Sequence, residues 1–396
     1  MPPHEQTPLL TPGNGHTAAV RFNFIKSSRH LLFGSWLNAL TIFVPICLVA
    51  EYSHWSATAR FVTSFIAIVP LAKLLGDATE QLSMEMGQTI GGLLNATFGN
   101  AVELIVAIAA LVQGQLRLVQ TSLLGSIVSN LLLVLGMSFF AQVENTFSEA
   151  LFGATGAQAS SSLLTLSCIT LIIPAAYHAS ASDTGGWFSH DAPAPPDGSL
   201  HGLLILSRGT AIILLSTYIA YLFFQLRTHA QLFVSEAEQE EEVADMDQYS
   251  AGIWLLIVTT VTAFSADILV GSIDDTATTW NIPKAFIGLI LLPLVGNAAE
   301  HVTSVWMAYK GKMDLTIGVA VGSSIQIAAG MIPLLVLIAW PLQKDLTLYF
   351  ANFETIVMFV SVLLVNMLLQ DGKSNYLEGL MLIALYLVIA LSYIVS

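Results

Sequence analysis

Two stretches limit this chain more than any other feature: LLILSRGTAIILLSTYIAYLFF, Leu203 to Phe224, and LEGLMLIALYLVIALSYIV, Leu377 to Val395. Each supplies about 20 mostly apolar residues, enough to cross the hydrocarbon core of a bilayer as a helix. In lipid the backbone must satisfy its own hydrogen bonds, so such runs fold as helices. The rest of the chain agrees, being 55% hydrophobic and 10% charged, where a soluble domain carries roughly 25% charged residues. Read along its length, the chain predicts an all-α, polytopic membrane protein of about 11 transmembrane helices. The expected spans are 31–50, 57–75, 86–112, 117–141, 157–179, 202–226, 250–272, 283–309, 313–340, 349–370 and 376–395.

Charge and cysteine narrow the class further. Cys47 and Cys168 both fall in apolar spans, which argues against a disulfide framework or a thiolate metal site. Net charge is −14 and resides mainly in loops, which argues against a nucleic-acid partner. The first 30 residues are polar and lack the pattern of a cleaved signal, so the N-terminus is expected in the cytosol. That orientation puts eight of the Lys and Arg residues inside (Arg21, Lys26, Arg29, Lys73, Arg227, Lys310, Lys312, Lys373) and five outside, in the sense of the positive-inside rule. An odd number of spans then sends the C-terminus to the far side.

The motif GNAVEL, Gly99 to Leu104, returns as GNAAEH, Gly296 to His301, 197 residues later. The same offset pairs Gly114, Leu118, Gly125 and Ser126 with Gly311, Leu315, Gly322 and Ser323. Lipid-facing duplication would preserve hydrophobicity, whereas here Gly, Asn, Glu and Ser persist. The copies fall on the third and eighth spans, an odd separation, so they enter the membrane in opposite directions. Such inverted repeats place a binding site near the midplane, where helices are broken. The expected organisation is a tail (1–30), a leading helix and loop (31–56), a first five-helix repeat (57–229), a cytosolic acidic linker or helix (230–249) and a second five-helix repeat (250–396).

Glu103 and Glu300 each stand nine residues from a predicted span end at Val112 and Tyr309, or roughly 13 Å into the membrane at 1.5 Å per residue. A carboxylate at that depth faces a protein interior or an aqueous cavity and marks function. Asn100 and Asn297 lie three residues before them, on the same helical face. Ser126 with Ser129, and Ser323 with Gln326, share faces of the next helices. The set is made of oxygen donors, which suit hard cations, chiefly Ca²⁺, with Mn²⁺ as a second choice that His301 widens. Two carboxylates in low dielectric also hold protons readily, because burial and mutual repulsion oppose a double negative charge. Competition between protons and a divalent cation for the same pair, coupled to alternating access, is an exchange mechanism.

These residues resemble the cation/proton exchangers of the calcium/cation antiporter superfamily, fungal vacuolar calcium/proton exchangers in particular. GNAVEL…GSIVSN and GNAAEH…GSSIQIA resemble its paired signature regions, and SEAEQEEEVADMD, residues 235 to 247, its acidic inter-repeat segment. The resemblance implies calcium coordination by Glu103 and Glu300, helped by Asn100, Asn297, Ser126, Ser129, Ser323 and Gln326. It also implies a proton or ion route through Glu103, Glu300, His301 and Glu80 of GDATEQL, with Asp267 and Asp274 as weaker candidates. In the acidic segment Glu238, Glu241, Glu242 and Asp245 recur at helical spacing, as a regulatory element would, without an EF-hand pattern.

Near the N-terminus, EQTPLL carries Glu5, Leu9 and Leu10 in the arrangement of a dileucine sorting signal read by a cytosolic adaptor. Together these readings predict a non-enzymatic secondary antiporter of the vacuolar membrane. It would exchange cytosolic Ca²⁺, with Mn²⁺ as a further cation, for luminal H⁺, without a cofactor, and assembly into a homo-oligomer stays open. A sodium/calcium exchanger and a passive cation channel are the competing expectations. A metalloenzyme lacks an HExxH motif here.

Overall fold

The computed structural model describes residues 24–142, 150–181, 197–230 and 244–395. The described chain is almost wholly helical. Its helices are α1 (Phe24–Phe33), α2 (Phe43–Tyr52), α3 (Ala57–Met86), α4 (Gln88–Phe98), α5 (Ala101–Val112), α6 (Leu116–Val128), α7 (Leu135–Gln142), α8 (Ala154–Ala181) and α9 (Asp197–Phe223), followed by α10 (Gln248–Gly271), α11 (Ile273–Trp280), α12 (Lys284–Phe286), α13 (Leu292–Gly296), α14 (Ala298–Tyr309), α15 (Met313–Ile325), α16 (Ile332–Ala339), α17 (Asn352–Leu368) and α18 (Tyr376–Val395). A two-residue antiparallel ladder joins β1 (Ala150–Leu151) to β2 (Lys373–Ser374).

Seven helical segments among the described residues are long and apolar enough to cross a membrane, and three bent pairs raise the number to ten. The apolar helix Asn352–Leu368 stands where the span 349–370 was expected, below the length of the others. The leading span departs from a straight helix. Its chain turns 98° between Phe24–Phe33 and Trp36–Tyr52, and the second arm starts as a 3₁₀ turn over Trp36–Ile42, capped by the Ser35 hydroxyl. Gly34 sits at the corner, where a Cβ would stand 2.7 Å from the His30 carbonyl oxygen. The expected span 283–309 is likewise composite, being interrupted between α13 and α14.

The duplication is structural as well as sequential. α5, α6 and α7 begin at residues 101, 116 and 135, and α14, α15 and α16 begin 197 later, at 298, 313 and 332. Both copies carry a π-helical stretch at the same place, Ser129–Val134 and Gln326–Met331. Gly114 and Gly311 share the same left-handed turn, each at φ +77°. α3 packs on α10, and α6, α15 and the two π stretches form the buried centre.

Candidate ion-binding site

Each glutamate stands in the first turn of a helix that begins inside the bundle. α4 ends at Phe98 and α5 restarts at Ala101 after a 46° bend, with Asn100 at the break. α13 ends at Gly296 and α14 restarts at Ala298, with Asn297 between them. Gly and Asn tolerate such interruptions, and the freed backbone N–H groups and the helix dipole favour an anion in the first turn. Glu103 and Glu300 occupy that turn. Gly296 also makes room for the opposite half, since a Cβ there would lie 2.7 Å from Oε1 of Glu103.

Amides and hydroxyls knit the halves together. Asn297 Nδ2 donates to Asn130 Oδ1 (2.9 Å), and Asn130 Nδ2 donates to Ser323 Oγ (2.8 Å). Ser323 Oγ donates to Asn100 Oδ1 (2.6 Å), with Glu300 Oε2 farther off at 3.4 Å. Asn100 Nδ2 donates to Gln326 Oε1 (2.8 Å). Asn100, Asn130, Asn297, Ser323 and Gln326 are all buried.

A cavity of about 880 Å³ reaches this point. Glu103, Glu300, Asn100, Ser323 and Gln326 line it, and so does Glu80, with the Lys73–Asp77 pair nearer its mouth. The lining is drawn from the second halves of α3 and α4, the starts of α5, α8 and α14, the end of α9 and the length of α15. The structure thus brings together six of the residues singled out from sequence. Ser126, Ser129, Asn297 and His301 lie off the cavity wall. Ser126 lends its backbone oxygen to Asn297 Nδ2 (3.4 Å), Ser129 is fully buried, and His301 Nδ1 meets the Asn297 carbonyl (2.7 Å).

Asp267 and Asp274 are also remote from the cavity: Asp267 accepts from Gln113 Nε2 (2.7 Å), and Asp274 pairs with Lys284 (2.8 Å). Asp245 is exposed; its N–H donates to Gln81 Oε1 (2.8 Å) and its carboxylate pairs with His30 (3.5 Å). The sorting residues Glu5, Leu9 and Leu10, and Glu238, Glu241 and Glu242, lie outside the described residues.

The opposite face is shut. Crossing from Leu116 to Gln142 before α8 puts Arg117 away from the mouth, whereas its repeat mate Asp314 lines the cavity. Arg117 pairs with the buried Glu354, and Gln120 Nε2 donates to the Thr347 carbonyl (2.9 Å). Below them α6 presses on the π turn Ile287–Leu291: a Cβ on Gly125 would meet the Leu289 oxygen at 2.2 Å. Gly322, the repeat mate of Gly125, would have nothing within 4 Å of its Cβ. Among the described residues no group of three or more His, Cys, Asp or Glu side chains comes together as a metal site. The ionisable donors at the centre are therefore the two glutamates, whose combined charge matches one divalent cation.

Sequence reasoning missed Asn130. Its signal was present, a lone amide in the apolar run SNLLLVLG, but it has no mate at the offset of 197, where Ile327 stands.

Comparison with known proteins agrees with this geometry. The chain is 46% identical to a vacuolar calcium ion transporter of Schizosaccharomyces pombe, over 98% of this chain and 93% of that protein. It is 40% identical to vacuolar cation/proton exchanger 2 of Arabidopsis thaliana, over 99% and 88%. Among solved structures, native YfkE superposes with a TM-score of 0.75 at 33% identity, covering 91% of this chain and all of that one. A second structure, of the Ca²⁺/H⁺ antiporter protein YfkE, gives 0.74 at 32%, over 90% and 98%. The model of the sodium/calcium exchanger protein family matches residues 56–227 and again 250–395, on either side of the acidic segment. With both halves matched and relatives of this identity along nearly its whole length, the chain belongs to the sodium/calcium exchanger protein family, among its vacuolar cation/proton exchangers.

Proposed function

We propose that the protein is a secondary active antiporter that moves cytosolic calcium into the vacuole in exchange for luminal protons. One observation carries the reading: two carboxylates, each in the first turn of a helix starting inside the bundle, line one cavity that reaches a single face. Two bare charges at that depth are costly. Loading with one divalent cation or with protons removes the cost, so either cargo stabilises a form able to change access. Asn100, Ser323 and Gln326 add oxygen donors from both halves.

The relatives named for vacuolar calcium transport and cation/proton exchange, and the Ca²⁺/H⁺ antiporter title of the YfkE structure, support calcium and protons as the pair and the vacuolar membrane as the site. In this reading the cavity mouth, with Glu80 and Asp77 on its wall, faces the cytosol together with the N-terminus, and the C-terminus is luminal. Manganese is a second cargo of the same oxygen set. The two-repeat organisation, the regulatory role of the acidic segment, the sorting adaptor and a homo-oligomer are kept as parts of the proposal.

The test is flux in sealed liposomes. An acid-inside pH gradient should drive calcium uptake, and uptake should alkalinise the lumen. Sodium inside in place of protons should not drive it. Calcium uptake that follows only its own gradient, with no movement of protons, would mean a passive channel.

A further inference from the structure

α1 is the arm of the leading segment that does not descend through the bundle. The chain turns 98° after Phe33, and the arm Trp36–Tyr52 follows. A helix at a right angle to a spanning arm runs close to the membrane plane. Its inner face is fastened to the start of α10. Ser27 Oγ donates to Oδ1 of Asp247, the N-cap of α10 (3.3 Å), and Trp254 Nε1 donates to Ser28 Oγ (3.0 Å). The Phe24 ring stacks on Trp254 at 6.0 Å, and Asn38 Nδ2 closes the corner by donating to the Leu31 carbonyl (2.7 Å). From Asp247 to Trp254 these contacts cover about 10 Å of α10 at 1.5 Å per residue. That is the depth at which an amphipathic helix lies between headgroups and acyl chains. The cavity mouth is at the same end of the bundle: Gln81, next to Glu80 on the cavity wall, accepts from the Asp245 and Met246 N–H groups.

The outer face of α1 combines bulky apolar and basic side chains. Ile25, Arg29 and Phe33 follow at four-residue spacing and form one exposed stripe, with Ile25 and Phe33 each 81% exposed. Lys26 and His30 form the next, His30 meeting Asp245 (3.5 Å). Trp36, 77% exposed, stands just past the corner. The neighbouring elements continue the apolar exposure, through Ile42 and Val49 on the spanning arm and Tyr249 and Ile253 on α10. Aromatic residues at such a level belong to the membrane interface.

Charge narrows the occupant further. FIKSSRHLLF contains no acidic residue, in a chain whose net charge is −14. Over most of its surface such a chain repels an anionic leaflet, and α1 is a local exception. Between Ile25 and Phe33, Arg29 can lay its stem along apolar surface and present its planar fork to phosphate.

We infer that α1 is an interfacial anchor that binds anionic phospholipid in the leaflet at the cavity mouth. Ile25, Phe33 and Trp36 sit among the acyl chains, and Arg29 and Lys26 meet the lipid phosphates. Naming that leaflet cytosolic rests on the orientation proposed above, whereas the lipid contact itself does not.

The test reads Trp36 in the full chain, reconstituted in phosphatidylcholine nanodiscs. These carry brominated phosphatidylserine or, at the same mole fraction, brominated phosphatidylcholine. Bromine quenches an indole at contact range, so the quenching present in the wild type and lost in Trp36→Phe belongs to Trp36. It should be at least about twofold greater with brominated phosphatidylserine, since each basic residue near the surface attracts anionic lipid. High salt should erase the excess. Lys26→Gln/Arg29→Gln should bring the two lipids to parity and leave quenching by brominated phosphatidylcholine unchanged, which separates headgroup contact from apolar anchoring.

Trp36 unquenched by either lipid, as when a protein partner or a second copy covers this face, would overturn the inference. Equal quenching by the two lipids in the wild type would overturn it too. The salt series carries the same test without the charge variant. Failure of the wild-type chain to couple calcium to protons would strike the proposed function instead and leave these readings in place.

Discussion

The two repeats differ most where their sequences agree. Gly125 and Gly322 are mates at the offset of 197, on α6 and α15, yet a Cβ on the first would collide with the Leu289 oxygen at 2.2 Å while the second faces open space. The same contrast marks Thr121, whose Oγ1 would stand 2.2 Å from a Cβ on Gly288, and its mate Gly318, which has nothing within 4 Å. The face at α6 is seamed shut, and the face at α15 borders the cavity, whose wall both repeats supply. Near-identical local structure therefore has two packings, and whether α6 or α15 is the packed one decides the face from which the glutamates are reached. In the antiport proposed above, Gly322 is the position that would close toward Gly92, the mate of Leu289 on the cavity wall.

The comparison can be broken most completely at its shared element. Replacing Glu103 or Glu300 by Gln should reduce proton-driven calcium uptake to the level of empty liposomes, and the two losses should match. Uptake surviving in one variant would show that the half-sites are not equivalent partners.

Next in size is the closure of the sealed face. Arg117→Ala removes the ion-pair partner of Glu354, which is 2% exposed and keeps the Ala351 N–H as a donor, and should cost about 2 kcal/mol, read as a lower melting temperature in detergent. Asp314→Ala, at the mate position on the open face, should cost about 1 kcal/mol, since it removes one bond from the Gly153 N–H. Equal shifts would erase the distinction between the faces.

The glycine mates give a finer reading. Ala is favoured over Gly by about 1 kcal/mol in any helix interior, so the propensity gain is common to both and the difference isolates packing. Gly125→Ala should be the less stable of the two by about 1–2 kcal/mol, through overpacking against Leu289. Smallest of all, Lys284→Ala should shift stability by under about 0.5 kcal/mol. Its partner Asp274 is half-exposed, and exposed pairs contribute little.

Most of the candidate site was legible before any coordinates. Depth in the span singled out Glu103, and the repeat tied it to Glu300, because a buried carboxylate is too costly to occur twice at one offset without a role. Asn100, Ser323 and Gln326 followed from spacing, and they meet at the cavity with both glutamates. Ser126, Ser129, Asn297 and His301 were grouped with them by the same logic, yet lie off the cavity wall in this structure. Helical spacing reports which residues share a face, not which of two equivalent faces is open.

Asn130 escaped for a related reason: the residue at its offset of 197 is Ile327, and a search for mates at a fixed offset passes over it. The right-angled turn at Gly34 was equally hidden within an apolar run that reads as one span.

The sequence by itself determined that this chain crosses a membrane repeatedly, that it is built twice, and that two glutamates share its centre. Hydrophobic length, the recurrence of Gly, Asn and Glu, and the cost of a charge in lipid are all properties of residues in order. Tertiary structure alone decided which face is shut, which donors are turned toward one another, and that an asparagine without a repeat mate hydrogen-bonds across the two halves. Those outcomes depend on how two similar helices pack against different neighbours, and packing energies of a few kcal/mol are invisible to a pattern that both halves share.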